Sequence, residues 1–204
     1  MRVCFFGDSF VNGTGDDDGM GWVGRVVAKA RQGGLDLTAY NLGIRRDTSA
    51  DVASRWLTEA TLRLRPEHDC RLVFSFGTND CACSGLDGGP RIARADSLAN
   101  AESILMTAQA WLPTLMIGPG TVADESEANE RIQSLSTDYA TLCRRVGVPY
   151  LEVCGLTLAS AAWTSEALAG DGAHPNRGGY ALIADAVSNW PAWRAWIDPR
   201  SAGG

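Results

Sequence analysis

Lysine is nearly missing from this 204-residue chain: of 18 basic residues, only Lys29 is a lysine. No G-K-[ST] sequence exists, which excludes a P-loop. Lys29 lies in a helical stretch away from every glycine turn, a poor place for Schiff-base or phosphate chemistry. Histidine is as scarce: His68 and His174 are the two present, so any imidazole chemistry passes through one of them. No apolar run approaches the length of about 20 residues that crosses a bilayer. The N-terminus opens into a strand-like run with no charged leader and cleavage site, so a cytoplasmic protein without membrane insertion is expected. A basic excess is also lacking; the net charge of −6 argues against a nucleic-acid binder.

What is there is ordinary for a soluble globular protein, with 45% apolar and 21% charged residues. The length suits one domain with a substantial core, placed at residues 1–200, with 201–204 as a frayed tail. Cys4, Cys70, Cys143 and Cys154 sit in or beside apolar runs, where a free thiol behaves as a small hydrophobe. Cys81 and Cys83 form a C-x-C pair expected in a loop, and neither a second pair nor a nearby histidine completes a metal site. Asp16-Asp17-Asp18, in a glycine-rich loop, is read as a solvated charge run.

Apolar runs alternate with helical periodicity along the chain. Strands are expected at 2–6, 37–42, 72–76, 114–117 and 149–153. Helices are expected at 21–33, 48–64, 97–112, 125–146 and 176–190, the last begun by an Asn176 cap. Such alternation argues for a three-layer α/β/α domain with a five-stranded parallel sheet in flavodoxin-like order. Function then collects at the carboxyl ends of the strands. Trp190, Trp193 and Trp196 fall on one helical face and are read as packing of the C-terminal segment.

The polar clusters stand at those strand ends. Gly7-Asp8-Ser9 follows the first apolar run, and Asp171-Gly172-Ala173-His174 places an acid three residues before a histidine. A serine hydroxyl is a poor nucleophile until an imidazole takes its proton, and a carboxylate can orient that imidazole. His174 is the candidate base; His68, in the polar segment Arg65–Asp69, is read as a solvated surface histidine.

Between these ends lie Asn41-Leu42-Gly43 and Gly77-Thr78-Asn79-Asp80. Four blocks in this order resemble the GDSL-type (SGNH) hydrolase superfamily, over nearly the whole chain from Gly7 to Pro175. The resemblance implies Ser9 as nucleophile, His174 as general base and Asp171 as the residue orienting it. It also implies an oxyanion hole from the Ser9 and Gly43 backbone N–H groups and the Asn79 side-chain amide, with no metal or cofactor. The expected activity is hydrolysis of a small carboxylic ester through a Ser9 acyl-enzyme. The ordinary α/β-hydrolase elbow G-x-S-x-G is excluded, because Val11 stands where its second glycine belongs.

One departure marks this chain. Many family members carry a small residue or glycine after the second-block glycine, whereas here Ile44-Arg45-Arg46-Asp47 follows Gly43. Arg45 and Arg46 either pair with nearby aspartates such as Asp47 or reach the cleft and favour substrates with an anionic group. Asp8 and Asp80 are read as loop braces. Two alternatives stay open on sequence: a flavodoxin-like domain holding an anion or nucleotide at its glycine turn, and a catalytically silent carbohydrate-binding relative.

Overall fold

Strict alternation along the first strand, β1 (Arg2–Gly7), sends Val3 and Phe5 to one side of a sheet and Cys4 and Phe6 to the other. All four are fully buried, as a strand covered on both faces requires. The computed structural model describes residues 1–83 and 88–197; the tail expected at 201–204 lies outside them. β1 pairs in parallel with β2 (Thr38–Gly43) on one side and β3 (Cys70–Ser75) on the other. β4 (Thr114–Ile117) and β5 (Tyr150–Leu151) complete an all-parallel sheet in the order β2-β1-β3-β4-β5. This is the expected flavodoxin-like order. Its reversal at β1 puts a crevice at the carboxyl ends of β1, β2 and β3.

Each face is covered by amphipathic helices. On the Phe6 side, α3 (Ser49–Arg63), α5 (Arg94–Trp111) and α6 (Ser126–Val146) bury Trp56, Leu105 and Tyr139 against Phe74. On the Phe5 side, α2 (Gly21–Gln32) and α9 (Arg177–Asn189) bury Trp22, Val26, Ile183 and Val187. Phe5 meets Trp22 edge to face at 5.8 Å, and the short α10 (Pro191–Ile197) adds Trp193 to the same core. Trp190 ends α9 rather than sharing a helix with Trp193 and Trp196. The expected packing role stands, with Trp193 buried and Trp196 partly so.

Two short helices at strand ends matter more for the site than the long ones. α1 (Ser9–Asn12) starts straight after β1, capped by the Asp8 carboxylate accepting from Phe10 N–H at 2.9 Å. α4 (Thr78–Cys81) starts straight after β3. Cys81, expected in a loop, is therefore buried in a helix, and burial pushes its thiol up to about 12. α7 (Cys154–Leu158) and α8 (Ala161–Ala169) fill the stretch before His174.

Asp16 corrects the reading of 16–18 as a solvated run. Its carboxylate is buried, accepting from Gly21 N–H at 2.8 Å and Met20 N–H at 3.1 Å and pairing with Arg25. Burial alone would raise its pKa, but the Arg25 guanidinium and these N–H groups outweigh it and lower the value. Asp17 and Asp18 reach across to the start of α9: Asn176 Nδ2 donates to Asp17 Oδ2 at 2.7 Å, and Arg177 pairs with Asp18. The loop after α1 is thereby fastened to the residues that follow His174.

Candidate active site

Ser9 is the first residue of α1, held at the carboxyl end of β1 and 5% exposed. His174 comes from the loop before α9. That helix's first turn is anchored by Glu166 of α8, whose carboxylate accepts from the N–H groups of Asn176, Gly178 and Gly179 at 2.8–3.0 Å. Orphan helix N–H groups are satisfied this way, and the loop feeding the helix is fixed with it. On its other flank His174 is met by Gly15, at φ 89°, where a Cβ would stand 2.8 Å from His174 Cβ. A side chain at position 15 would push the imidazole out of place.

The result is a continuous hydrogen-bonded chain. His174 Nε2 lies 2.7 Å from Ser9 Oγ, and His174 Nδ1 lies 2.7 Å from Asp171 Oδ2. Asp171 Oδ1 accepts from Ala173 N–H at 3.1 Å and His174 N–H at 2.9 Å, closing a tight turn. Partial burial works to raise the Asp171 pKa, but the His174 backbone N–H, the His174 ring and the Ala173 N–H outweigh it and bring the value to about 2. A carboxylate ionised at that level only accepts, so Nδ1 carries the ring proton and Nε2 of the neutral ring accepts from Ser9. Phe10 packs against the imidazole with ring centroids 5.5 Å apart. His68 is exposed and far from this chemistry, beside Glu67.

The loops after β2 and β3 form the facing wall. Asn79, in α4, donates from Nδ2 to the Asp47 carbonyl at 2.9 Å. Ile44–Asp47 is a four-residue turn, closed by Asp47 N–H donating to Ile44 O at 3.2 Å. Its third residue, Arg46, has φ 75°, the value a type II turn demands and glycine normally supplies. It is the one non-glycine with positive φ among the described residues. Arg91 Nη1 donates to the Arg46 carbonyl at 2.9 Å, and Arg55 Nε holds the Asp47 carboxylate at 2.7 Å. The turn is thus braced from three directions.

Gly43 sits elsewhere than expected. Its N–H is committed to Asn41 Oδ1 at 3.1 Å. A Cβ there would lie 2.2 Å from Asn12 N and 2.6 Å from Asp8 O. Gly43 therefore seats the backbone of β2 against α1; it does not line the space above Ser9. Arg46 does, and its own N–H has no partner among the described residues. Asp8 and Asp80 brace, as expected. Asp80 accepts from Ser49 N–H at 2.7 Å and from Ser97, joining α4 to α3 and α5.

A cleft of about 390 Å³ opens over Ser9 and His174. Arg45, Arg46, Asn79 and Arg91 line one side of it, and Val122 and Glu125, after β4, line the other. Arg45 Nη2 pairs with Asp171 Oδ2 at 3.0 Å, and not with Asp47, which belongs to Arg55. Arg91 and Glu125 escaped sequence reasoning because no motif marks them. A larger cavity of about 490 Å³ between α4, α5 and α6 touches none of Ser9, Asp171 or His174, so the chemistry points to the smaller one. No group of three or more metal-ligating side chains occurs among the described residues.

Strand-end serine, imidazole and carboxylate on a parallel sheet of this order define the class: an α/β hydrolytic enzyme of the flavodoxin-like type. The GDSL-like lipase/acylhydrolase family matches residues 5–182, and the chain belongs to it. Among solved structures, it is similar to a lipase/acylhydrolase from Enterococcus faecalis (TM-score 0.74, 22% identity, covering 95% of this chain and 96% of that one). It is also similar to the acetylxylan esterase Axe2 from Geobacillus stearothermophilus (TM-score 0.76, 15% identity, 95% and 96% covered). A third is LAE5, an α/β hydrolase from the metagenome of Lake Arreo, Spain (TM-score 0.70, 18% identity, 91% and 92% covered). At these identities the likeness speaks for the fold. Comparison with curated proteins gives no match. No helix among the described residues is long and apolar enough to cross a membrane.

Proposed function

We propose that the protein is a serine esterase acting on small carboxylic esters, with Ser9 as nucleophile, His174 as general base and Asp171 as its orienting carboxylate. One observation carries this reading: Ser9 Oγ, His174 and Asp171 stand in line with both contacts at 2.7 Å. His174 Nε2 removes the Ser9 proton as Oγ attacks the ester carbonyl, and the imidazolium is stabilised by Asp171. The same proton then goes to the departing alkoxide. Water, activated by Nε2, releases the acid and regenerates Ser9.

The tetrahedral intermediate needs donors fixed before charge develops. The proposed set is the Ser9 N–H, the Asn79 Nδ2 and the Arg46 N–H, the last in place of Gly43. Support comes from the Gly43 N–H being spent on Asn41 and from the strained, triply braced turn that carries Arg46. Backbone strain held by surrounding bonds is a recurring mark of functional loops. An open cleft of about 390 Å³ suits short acyl groups, in keeping with the acetyl esterase among the structures of similar fold.

The test is 4-nitrophenyl acetate hydrolysis by wild type and Ser9→Ala. A nitrophenolate burst from wild type alone supports the acyl-enzyme; equal background rates from the two proteins overturn it.

A further inference from the structure

The charges around the cleft are unevenly distributed. Arg45 and Arg46 stand at the end of β2, and Arg91 on the segment after α4. Glu125, at the start of α6, is the acidic residue on the opposite side. Arg45 is engaged with Asp171. The Arg46 and Arg91 guanidinium groups form no ion pair among the described residues. Arg91 spends one nitrogen on the Arg46 carbonyl, which ties the two arginines to one another.

This arrangement is the reverse of the molecule's overall charge of −6. In an acidic protein, two arginines with no carboxylate partner among the described residues, at the rim of one polar cleft, create a local positive field. Low-dielectric walls focus such a field toward an incoming anion. Arginine also presents a fork of donors that matches a carboxylate, and it keeps its charge at any working pH. Position 46 adds a further point. A left-handed turn residue is cheapest as glycine, and the chain carries arginine there. The backbone therefore bears a cost to carry an arginine in the turn that lines the cleft over Ser9.

We infer that Arg46 and Arg91 form a carboxylate-binding subsite, and that the esterase prefers esters carrying a carboxylate in their acyl or alcohol part. The inference deepens the esterase reading and rests on it for the chemistry at Ser9. The neutral end of the substrate lies toward Val122, and an anionic group there would meet Glu125. The cleft thus fixes one orientation of an acidic ester over Ser9.

Two isosteric pairs test this and separate the two placements of the carboxylate. The acyl pair is mono-4-nitrophenyl succinate against 4-nitrophenyl levulinate; the alcohol pair is 3-acetoxybenzoate against 3-acetoxybenzamide. The readout is the acid-to-neutral ratio of kcat/KM within each pair. A charge-assisted contact predicts a ratio of about tenfold or more in at least one pair. Raising salt from about 0.02 to about 0.5 M should shrink it by screening. Arg46→Gly keeps a residue at ease with the turn and removes only the guanidinium. Arg46→Gly alone should cut the ratio by about threefold or more, and Arg46→Gly with Arg91→Gln should bring it near one. A wild-type ratio near one in both pairs, or a ratio that survives both substitutions, overturns the inference. Calorimetric binding of the same four compounds to Ser9→Ala keeps the two readings apart. Preferential binding of the acid there upholds the subsite even if Ser9 proves not to be the nucleophile, and equal binding removes it.

Discussion

Asp171 and His174 are joined twice: Asp171 Oδ1 accepts the His174 backbone N–H at 2.9 Å, while Oδ2 meets ring Nδ1 at 2.7 Å. One carboxylate thus shapes the turn and selects the tautomer. Asp171→Asn separates the two tasks. Asparagine can keep Oδ1 on the backbone N–H groups, but its amide NH₂ then faces Nδ1. The ring must turn Nδ1 into an acceptor, which places the proton on Nε2, where it cannot receive one from Ser9. The expected result is a fall in kcat of about 10⁴-fold with little change in melting temperature. A loss under about tenfold would remove Asp171 from its orienting role.

Asn79 and Gly43, both expected in the oxyanion hole, should now behave differently. If Asn79 supplies the proposed oxyanion donor, Asn79→Ala should drop kcat by about 10²–10³-fold with KM little changed. Gly43→Ala inserts a methyl against backbone atoms of α1 that cannot move independently of Ser9. Its melting temperature and activity should fall together. A Gly43→Ala protein as stable as wild type, but slow, would restore the Gly43 N–H to the hole.

The turn at Arg46 predicts an asymmetry among its variants. Glycine relaxes the positive φ, although it also gains freedom in the unfolded chain, so stability should change by less than about 1 kcal/mol. Proline cannot reach that φ and has no N–H to offer. Arg46→Pro should therefore lose activity toward neutral esters by about 10²-fold or more, beyond the loss seen in Arg46→Gly. Equal rates for the two variants would place the oxyanion donors elsewhere.

Much of this architecture was legible in the letters. The apolar runs at Val3–Phe6 and Leu72–Phe76 announced the strands, and Asp171-x-x-His174 announced its own contact because a tight turn spans that spacing. Distance in the chain concealed the rest. Arg91 lies 45 positions from the carbonyl it supports, and nothing near it marks the pairing. Gly43 drew attention as a glycine, whereas the left-handed residue is an arginine, for which single-residue preference gives no warning. Asp16 looked solvated because its partners, Arg25 and the Gly21 N–H, become visible only once the loop is closed. Strand limits moved by one or two residues, and β5 shrank to Tyr150–Leu151, where the sheet edge leaves pairing on one side only.

Asp8, directly before Ser9, offers a prediction about pH. Full burial raises its carboxyl to about 7; the Phe10 N–H opposes this, and Asp80 and Asp47 add to the rise. In the unfolded chain an aspartate releases its proton near 3.8. Between those two values the folded protein holds a proton that the unfolded one has lost. Stability from this group is therefore complete below about pH 4 and is lost progressively as pH climbs through about 7. The gap corresponds to roughly 4 kcal/mol at most, a large share of a typical domain's 5–15 kcal/mol. Asp8→Asn keeps an oxygen for the Phe10 N–H and cannot ionise. Its unfolding free energy should match wild type near pH 4 and exceed it by about 1–3 kcal/mol at pH 8, with the difference growing mainly between pH 5 and 7. Denaturant titrations of both proteins across that range give the difference curve, in which groups not coupled to Asp8 cancel, leaving Asp8 and its neighbours Asp80 and Asp47. Parallel curves would mean that Asp8 is ionised in the fold, held by donors beyond the Phe10 amide.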